Sequence, residues 1–409
     1  MKKFGVYIHI PFCRQKCFYC DFPSFAGKEK SIDSYLKALE LEFCLLGQKL
    51  REEAASQNIE SSALLGGSEK LCAETRCLDE NEKFSPRTIY IGGGTPTALD
   101  CNQLRELLCI ARKYIAVEKA EEFTVEMNPG TADREKLLLL REAGVNRISV
   151  GVQSFADDIL KGIGRIHTAS EAVDTIELAH RLGFENISLD LMYGLPWQNM
   201  DVLRESLERA LTLPIRHISV YGLQLEEGTA FARMADMDRL PLPDDELVEE
   251  MYDYIAARLP QAGYQRYEIS NYALPGYESR HNLAYWQDVD YLGVGSGAHS
   301  YWQGVRYENH QEIDDYIEAV NQGRMPCLLE ERVDKKAHME EFCFLGLRTA
   351  AGIDADEFQR KFAVDLSEVY GAVVERLTAQ NLLRQTEKGI ALTAQGMKYG
   401  NQVFAEFLL

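Results

Sequence analysis

Apolar residues recur in two rhythms along the first half of this chain. Short strand-like runs occupy Gly5–Pro11, Thr88–Gly92, Glu122–Asn128, Arg147–Gln153, Asn186–Met192 and His217–Gln224. Amphipathic stretches with helical spacing lie between them, near Ser31–Leu50, Asn102–Tyr114, Arg134–Ala143, Ser170–Leu182 and Val202–Leu211. Strand, helix, strand, repeated in this way, predicts parallel pairing with right-handed crossovers. Six such strands suit an open sheet or a partial barrel and are too few for a closed eight-fold one. The expected fold class is α/β, a core over 1–240.

Residues 51–85 interrupt the order. They are rich in Glu, Ser, Ala and Gly and lack a sustained apolar period, which predicts a flexible insertion. Its Cys72 and Cys77 form a lone C-x4-C pair, read as ordinary free thiols. After Pro241 a helix is expected near Asp245–Arg258, then Tyr264–Tyr272 and a dense motif region from His281 to Tyr301. Residues 241–330 read as an extension of the core. The tail, Arg332–Leu409, reads as helices with a short hairpin at Leu382–Leu392 around Glu387-Lys388-Gly389. That pattern suits a winged-helix-like accessory domain over 331–409. It holds no dense basic stripe, so packing or lid duty is expected rather than DNA binding.

Composition narrows the class. The chain has 409 residues, room for one large domain and a smaller one. A formal net charge of −20 argues against general nucleic-acid binding, which depends on neutralising phosphates. No uninterrupted apolar run reaches the roughly 18 to 20 residues of a membrane helix. Met1-Lys2-Lys3-Phe4-Gly5 is not followed by the apolar stretch of a secretory signal. Ten cysteines without an export signal suggest a reducing compartment, and the cytoplasm is the expected location.

Three of those cysteines carry the strongest chemical signal. Cys13, Cys17 and Cys20 form a C-x3-C-x2-C cluster directly after the first expected strand, within Tyr7–Phe22. Thiolates bind soft metals and iron–sulfur clusters, and a cubane cluster normally takes four. Three on one short loop would leave one iron open to a small molecule. A closed zinc site usually wants four ligands in paired C-x2-C knuckles, and no fourth is nearby. The spacing resembles that of the radical SAM superfamily. There the open iron is chelated by the amino and carboxylate groups of S-adenosylmethionine, and the fold is a partial (β/α)6 TIM-like barrel. Gly92-Gly93-Gly94-Thr95 follows the second strand, where glycines let a backbone approach a ligand closely. Beside the cysteines it is similar to the superfamily's glycine motif, which holds the methionine end of the cofactor.

Glu126, Gln153, Arg165 and Asp190 occupy or follow strand ends. In parallel α/β folds ligands gather there. As a set these side chains suit a nucleoside with ribose hydroxyls and a carboxylate. The likeness is closer than the superfamily. Tyr7–Phe22, Gly92–Thr97, Gly151–Phe155, Asp190–Pro196 and Gly293–Tyr301 resemble the oxygen-independent coproporphyrinogen oxidase family and its relatives, the HemW heme chaperones. The resemblance implies that Cys13, Cys17 and Cys20 hold a [4Fe–4S] cluster. It implies that Gly93, Gly94 and Thr95 meet the methionine part of S-adenosylmethionine. Glu126, Gln153, Arg165 and Asp190 would contact the rest, with Tyr7 and Tyr19 alongside and Gln224 joining them.

One difference separates the two relatives. The oxidases resemble this chain but carry a further cysteine two positions after the third ligand, where this chain has Phe22. Cys20-Asp21-Phe22 is similar to the chaperones instead, as is His281-Asn282-Leu283-Ala284-Tyr285-Trp286, whose H-N-x-x-Y-W pattern is associated there with heme. An imidazole can ligate iron axially, and Tyr285 and Trp286 could pack on a porphyrin face. The bland alternative is a capped turn with core aromatics. His299 and Cys327 are further ligand candidates, and Cys343 reads as core. The resemblance thus implies binding of heme as cargo and transfer to apo-heme proteins, respiratory ones among them. Coproporphyrinogen oxidation through a 5′-deoxyadenosyl radical is the rival expectation, and a radical enzyme with another substrate is a third. Peripheral association with membrane proteins and homodimerisation stay open.

Overall fold

The computed structural model describes residues 4–56 and 83–409. Six parallel strands form where the apolar runs predict them: β1 (Gly5–Ile10), β2 (Thr88–Gly93), β3 (Glu122–Met127), β4 (Arg147–Gln153), β5 (Asn186–Tyr193) and β6 (His217–Gly222). The crossovers carry α1 (Ile32–Ser56), α2 (Cys101–Tyr114), α3 (Arg134–Glu142), α4 (Asp157–Gly162), α5 (Ala169–Arg181) and α6 (Met200–Leu211). Helix α1 runs past its expected end at Leu50, through residues assigned to the insertion. The rest of that insertion, 57–82 with Cys72 and Cys77, lies outside the described residues. Local chemistry sets the helix starts. Asp100 with Gln103, and Thr168 with Glu171, form capping boxes at α2 and α5.

The sheet continues beyond these strands. After α7 (Ala230–Asp236) and α8 (Asp245–Gln261), β7 (Gln265–Arg266) and β8 (Asn271–Ala273) add antiparallel to β6. Past α9 (Arg280–Trp286), β9 (Tyr291–Val294) pairs parallel with the other side of β1. Antiparallel β10 (His299–Trp302), β11 (Val305–Asn309) and, after α10 (Ile313–Asn321), β12 (Cys327–Arg332) follow. The result is an open 12-stranded sheet with β12 and β7 at its edges, which the sheet's twist curls into a partial barrel. The tail has its own apolar core around Phe342, Phe358 and Tyr370. It comprises α11 (Lys335–Leu347), α12 (Ala355–Phe362), α13 (Leu366–Ala379) and a three-stranded sheet in which Gly389–Leu392 pairs both Ile353–Asp354 and Leu383–Gln385.

Side chains alternate across the sheet with period two. Ile89, Ile91, Val125, Ile148, Val150, Ile187, Leu189, Ile218 and Val220 face the helices and make the main core. The opposite set is polar: Thr88, Tyr90, Thr124, Glu126, Arg147, Ser149, Ser188, Asp190, His217 and Ser219. The barrel therefore has a polar interior and an apolar jacket.

One buried carboxylate ties the extension to the core. Glu42 of α1 accepts from Gly295 N at 2.7 Å, Asn309 Nδ2 at 2.6 Å and the Tyr316 hydroxyl at 2.7 Å. Burial pushes its carboxyl up to about 7, against those three donors. A folded pKa above the unfolded value means the folded state holds this proton more tightly. Its stabilising contribution is complete below the ordinary carboxylate value and is lost as pH rises toward 7. Thermal melts across pH 4.5 to 8 should show the wild type losing stability relative to Glu42→Gln as pH rises. Parallel curves for the two proteins would refute this role.

Candidate functional site

The cysteine loop sits at the carboxyl end of β1, pinned on several sides. Cys13 N donates to Phe25 O at 3.0 Å, Phe18 N to Ile163 O at 3.1 Å, and Phe231 N to Phe18 O at 2.9 Å. Gln15 Nε2 reaches Gly164 O at 3.0 Å. Among the described residues no three His, Cys, Asp or Glu side chains close on a single metal ion. Cys13 feels the charge of Cys17, and Cys20 that of Cys17 and Cys13. Burial pushes the Cys13 and Cys20 thiols up; Thr95 and Arg165 counter it at Cys13, and the Phe22 backbone and Lys16 at Cys20.

A polar chain connects this loop to the strand ends. Cys13 Sγ lies 3.6 Å from Thr95 Oγ1, which accepts from Asn128 Nδ2 at 2.8 Å. Arg165 Nη2 donates to Asn128 Oδ1 at 2.8 Å and also to Gly151 O, and Arg165 Nη1 lies 3.6 Å from Cys17 Sγ. Arg165 Nε is buried without a partner.

The glycine motif is held from inside the barrel. Glu126 accepts from Gly93 N at 3.0 Å and from the Tyr90 hydroxyl at 2.6 Å. A Cβ on Gly93, whose φ is +105°, would stand 2.3 Å from the His9 ring; one on Gly94 would stand 2.8 Å from Ile10 O. Backbone there is required to be bare. Burial raises the Glu126 and Asp190 carboxyls, and Arg147, 2 % exposed, is the cation that lowers both. Gln153 ends β4 at φ 69° beside a register shift, a strained non-glycine conformation that re-aims the chain end. Tyr7 bonds His9 Nδ1 at 3.0 Å, and Tyr19 is half-buried against the Leu195 cluster. Gln224 lies exposed past β6.

The expected heme motif stands elsewhere. His281 is on α9 at the opposite end of the strands, against Gly5 and Thr88, the first residues of β1 and β2. A strand of this length separates it from the cysteines, roughly 15–20 Å. It is 2 % exposed, with Nδ1 2.8 Å from Thr88 Oγ1 and Nε2 2.8 Å from the Tyr285 hydroxyl. Burial, then Arg147, pulls its pKa down to about 3. Tyr285 packs edge-on to Tyr291, and the Arg348 guanidinium covers the Trp286 ring at 4.6 Å. In this structure both ring nitrogens are engaged and the motif plugs the base of the barrel, the capped-turn, core-aromatic arrangement that the sequence also allowed. Cys327 pairs with Asn309 on the helix-facing side near Lys49, away from the interior. Cys343 is in the tail core, as expected.

Two contributors went unnamed in the sequence. Asn128 bridges Thr95 and Arg165, and His9 backs the glycine motif. Both share the inward parity of their strands, Asn128 two positions after Glu126 and His9 two after Tyr7, which was the available signal.

Cys17→Ala should abolish the broad visible absorbance and the iron of the reconstituted protein; unchanged iron content would refute the ligand assignment. Gly93→Ala should destabilise the fold by about 2 kcal/mol through its positive φ and the His9 clash, and weaken S-adenosylmethionine binding at least tenfold by equilibrium dialysis. Wild-type affinity there would show that the glycine is not part of the cradle.

Comparison with known proteins agrees with this geometry. Residues 74–210 match the radical SAM superfamily, and 333–399 match the HemN C-terminal domain. Such a domain implies a [4Fe–4S] cluster and S-adenosylmethionine. The heme chaperone HemW of Lactococcus lactis is 38 % identical over 99 % of this chain and 97 % of its own length. That of Bacillus subtilis is 38 % identical over 99 % of each, and that of Escherichia coli 39 % over 72 % of this chain and 69 % of its own. The solved structure of the Escherichia coli coproporphyrinogen III oxidase HemN, a radical SAM enzyme, covers the whole chain and 90 % of its own at a TM-score of 0.80 and 21 % identity, a likeness of fold. With near full-length likeness to these relatives, the chain belongs to the HemW family of the radical SAM superfamily.

Proposed function

We propose that this protein binds heme and passes it to apo-proteins, respiratory proteins among them, while carrying a [4Fe–4S] cluster and S-adenosylmethionine. The observation that carries the reading is the near full-length likeness to heme chaperones. Cys13, Cys17 and Cys20 would hold the cluster, with Arg165 Nη1 standing 3.6 Å from Cys17 Sγ. The bare backbone at Gly93 and Gly94 fits the methionine end of the nucleoside. Glu126, Asp190 and Gln153 supply acceptors and donors for its remaining hydroxyls. Bound together, the cluster and S-adenosylmethionine supply electron transfer from iron to a sulfonium. No helix among the described residues is long and apolar enough to cross a membrane.

A second reading, oxygen-independent coproporphyrinogen III oxidase, is favoured by the completeness of this cradle. Against it stands Phe22, 60 % exposed where the oxidases resemble this chain but carry a further thiol. A phenyl ring can neither ligate a metal nor move a proton. Reconstituted protein incubated anaerobically with coproporphyrinogen III, S-adenosylmethionine and a reductant should form no protoporphyrinogen, while added hemin should give a saturable Soret band. Product formed over many turnovers would overturn the chaperone reading in favour of the oxidase.

A further inference from the structure

The tail meets the base of the barrel along a seam of paired polar groups. Lys398 Nζ stands 2.9 Å from Asp253 of α8, and His338 Nε2 stands 2.7 Å from Asp288, just past α9. One group in the seam lacks such a partner. Arg348, the residue that caps the end of α11, is half-buried between two rings. Its guanidinium lies 4.6 Å from the centre of Trp286 and 5.8 Å from that of Phe404. Among the described residues it has no hydrogen bond and no ion pair, and its Nε is enclosed.

The indole beneath it has the same deficit. Trp286 Nε1 is buried without an acceptor. Two N–H donors in one stack, one of them on a cation, thus have no oxygen to receive them. Buried donors left unpaired are costly, and a buried cation more so.

The carboxylate whose charge reaches Arg348 does not fill the gap. Glu268, 2 % exposed, accepts instead from Ser270 N at 2.8 Å and from Asn271. Burial disfavours the charge on both Glu268 and Arg348. An indole and a guanidinium only donate, whereas a carboxylate only accepts. The complement of this pair is therefore a carboxylate, which a guanidinium can hold through two parallel hydrogen bonds. Heme carries two carboxylates, the propionates, on one edge of its macrocycle.

We infer that Arg348 and Trp286 Nε1 form a carboxylate site at the seam between barrel and tail, and that it takes a propionate of the cargo. This rests on the heme-handling reading above and concerns the edge of the macrocycle, not its iron. Both donors are enclosed while the seam is shut, so the tail must shift from α9 to admit the carboxylate. Once bound, the propionate joins Arg348 of the tail to Trp286 of the barrel.

Hemin and hemin dimethyl ester, whose propionates are capped, test the site without any substitution. Titrated by absorbance, the full, cluster-reconstituted chain should bind hemin at least tenfold more tightly than the ester. Arg348→Met should weaken hemin binding at least tenfold and leave ester binding and melting temperature unchanged, so that the preference disappears. Arg348→Lys, which restores the charge without the planar fork, should recover part of it. Equal wild-type affinity for hemin and ester, or a preference that survives in Arg348→Met, would overturn the inference while leaving heme handling intact. A melting temperature raised by acetate, with no preference for hemin over the ester, would assign the seam to a free carboxylate and overturn the propionate assignment. Wild-type protein that binds neither porphyrin would overturn the heme-handling reading and the inference with it.

Discussion

The period-two alternation of the six parallel strands is the constraint on which the molecule depends. Sheets of this kind are commonly apolar on both faces; here one face packs on helices and the other lines a polar interior. Most inward groups find a partner inside, because buried polar atoms are costly when unpaired; Thr124 Oγ1 and Arg147 Nε are exceptions. Arg147 sits among the carboxylates Glu126 and Asp190 and lowers both. Serines, threonines and tyrosines complete the pairing. The strand interiors are thus committed to one another, and binding groups gather where the strands end.

The two ends of the barrel are finished differently. At the base, α9 closes the opening with His281 and Tyr285, and Glu122 accepts from the backbone N–H groups of Arg280 and His281. The tail leans on this plug through Arg348 over Trp286 and through Ala350 N to Tyr267 O. The motif singled out for heme therefore joins core and tail. Among the described residues nothing comparable closes the strands at the mouth, where the cysteine loop and the glycine motif lie and where Phe22, Ile166 and Trp197 stay exposed.

The extension β9–β12 widens that opening. Glu42 anchors it at Gly295, Asn309 and Tyr316, and its edge strand is exposed and ends in Glu330, Glu331 and Arg332, charges that discourage pairing with another chain. A barrel left open on this side can admit something broader than a nucleoside.

Much of this was legible in the chain. Strands and helices follow from local periodicity, and the C-x3-C-x2-C loop and triple glycine sit next to each other because β1 and β2 are adjacent. Chemistry carried on one loop, or on the ends of neighbouring strands, needs no knowledge of the far contacts. His281 was different. Its neighbours in sequence suit a ligand as well as they suit a plug, and its enclosure here comes from Thr88 and Tyr285 closing on its two nitrogens. The same holds for Cys327, whose face was decided by the pairing of β12 with β11, and for His299, whose accessibility depends on where the tail stops covering the sheet. Residue types and spacing determined the fold class and where the cysteine loop sits beside the glycine motif. Which histidine stays open to solvent was decided by long-range packing, because burial belongs to the assembled sheet rather than to any segment of it.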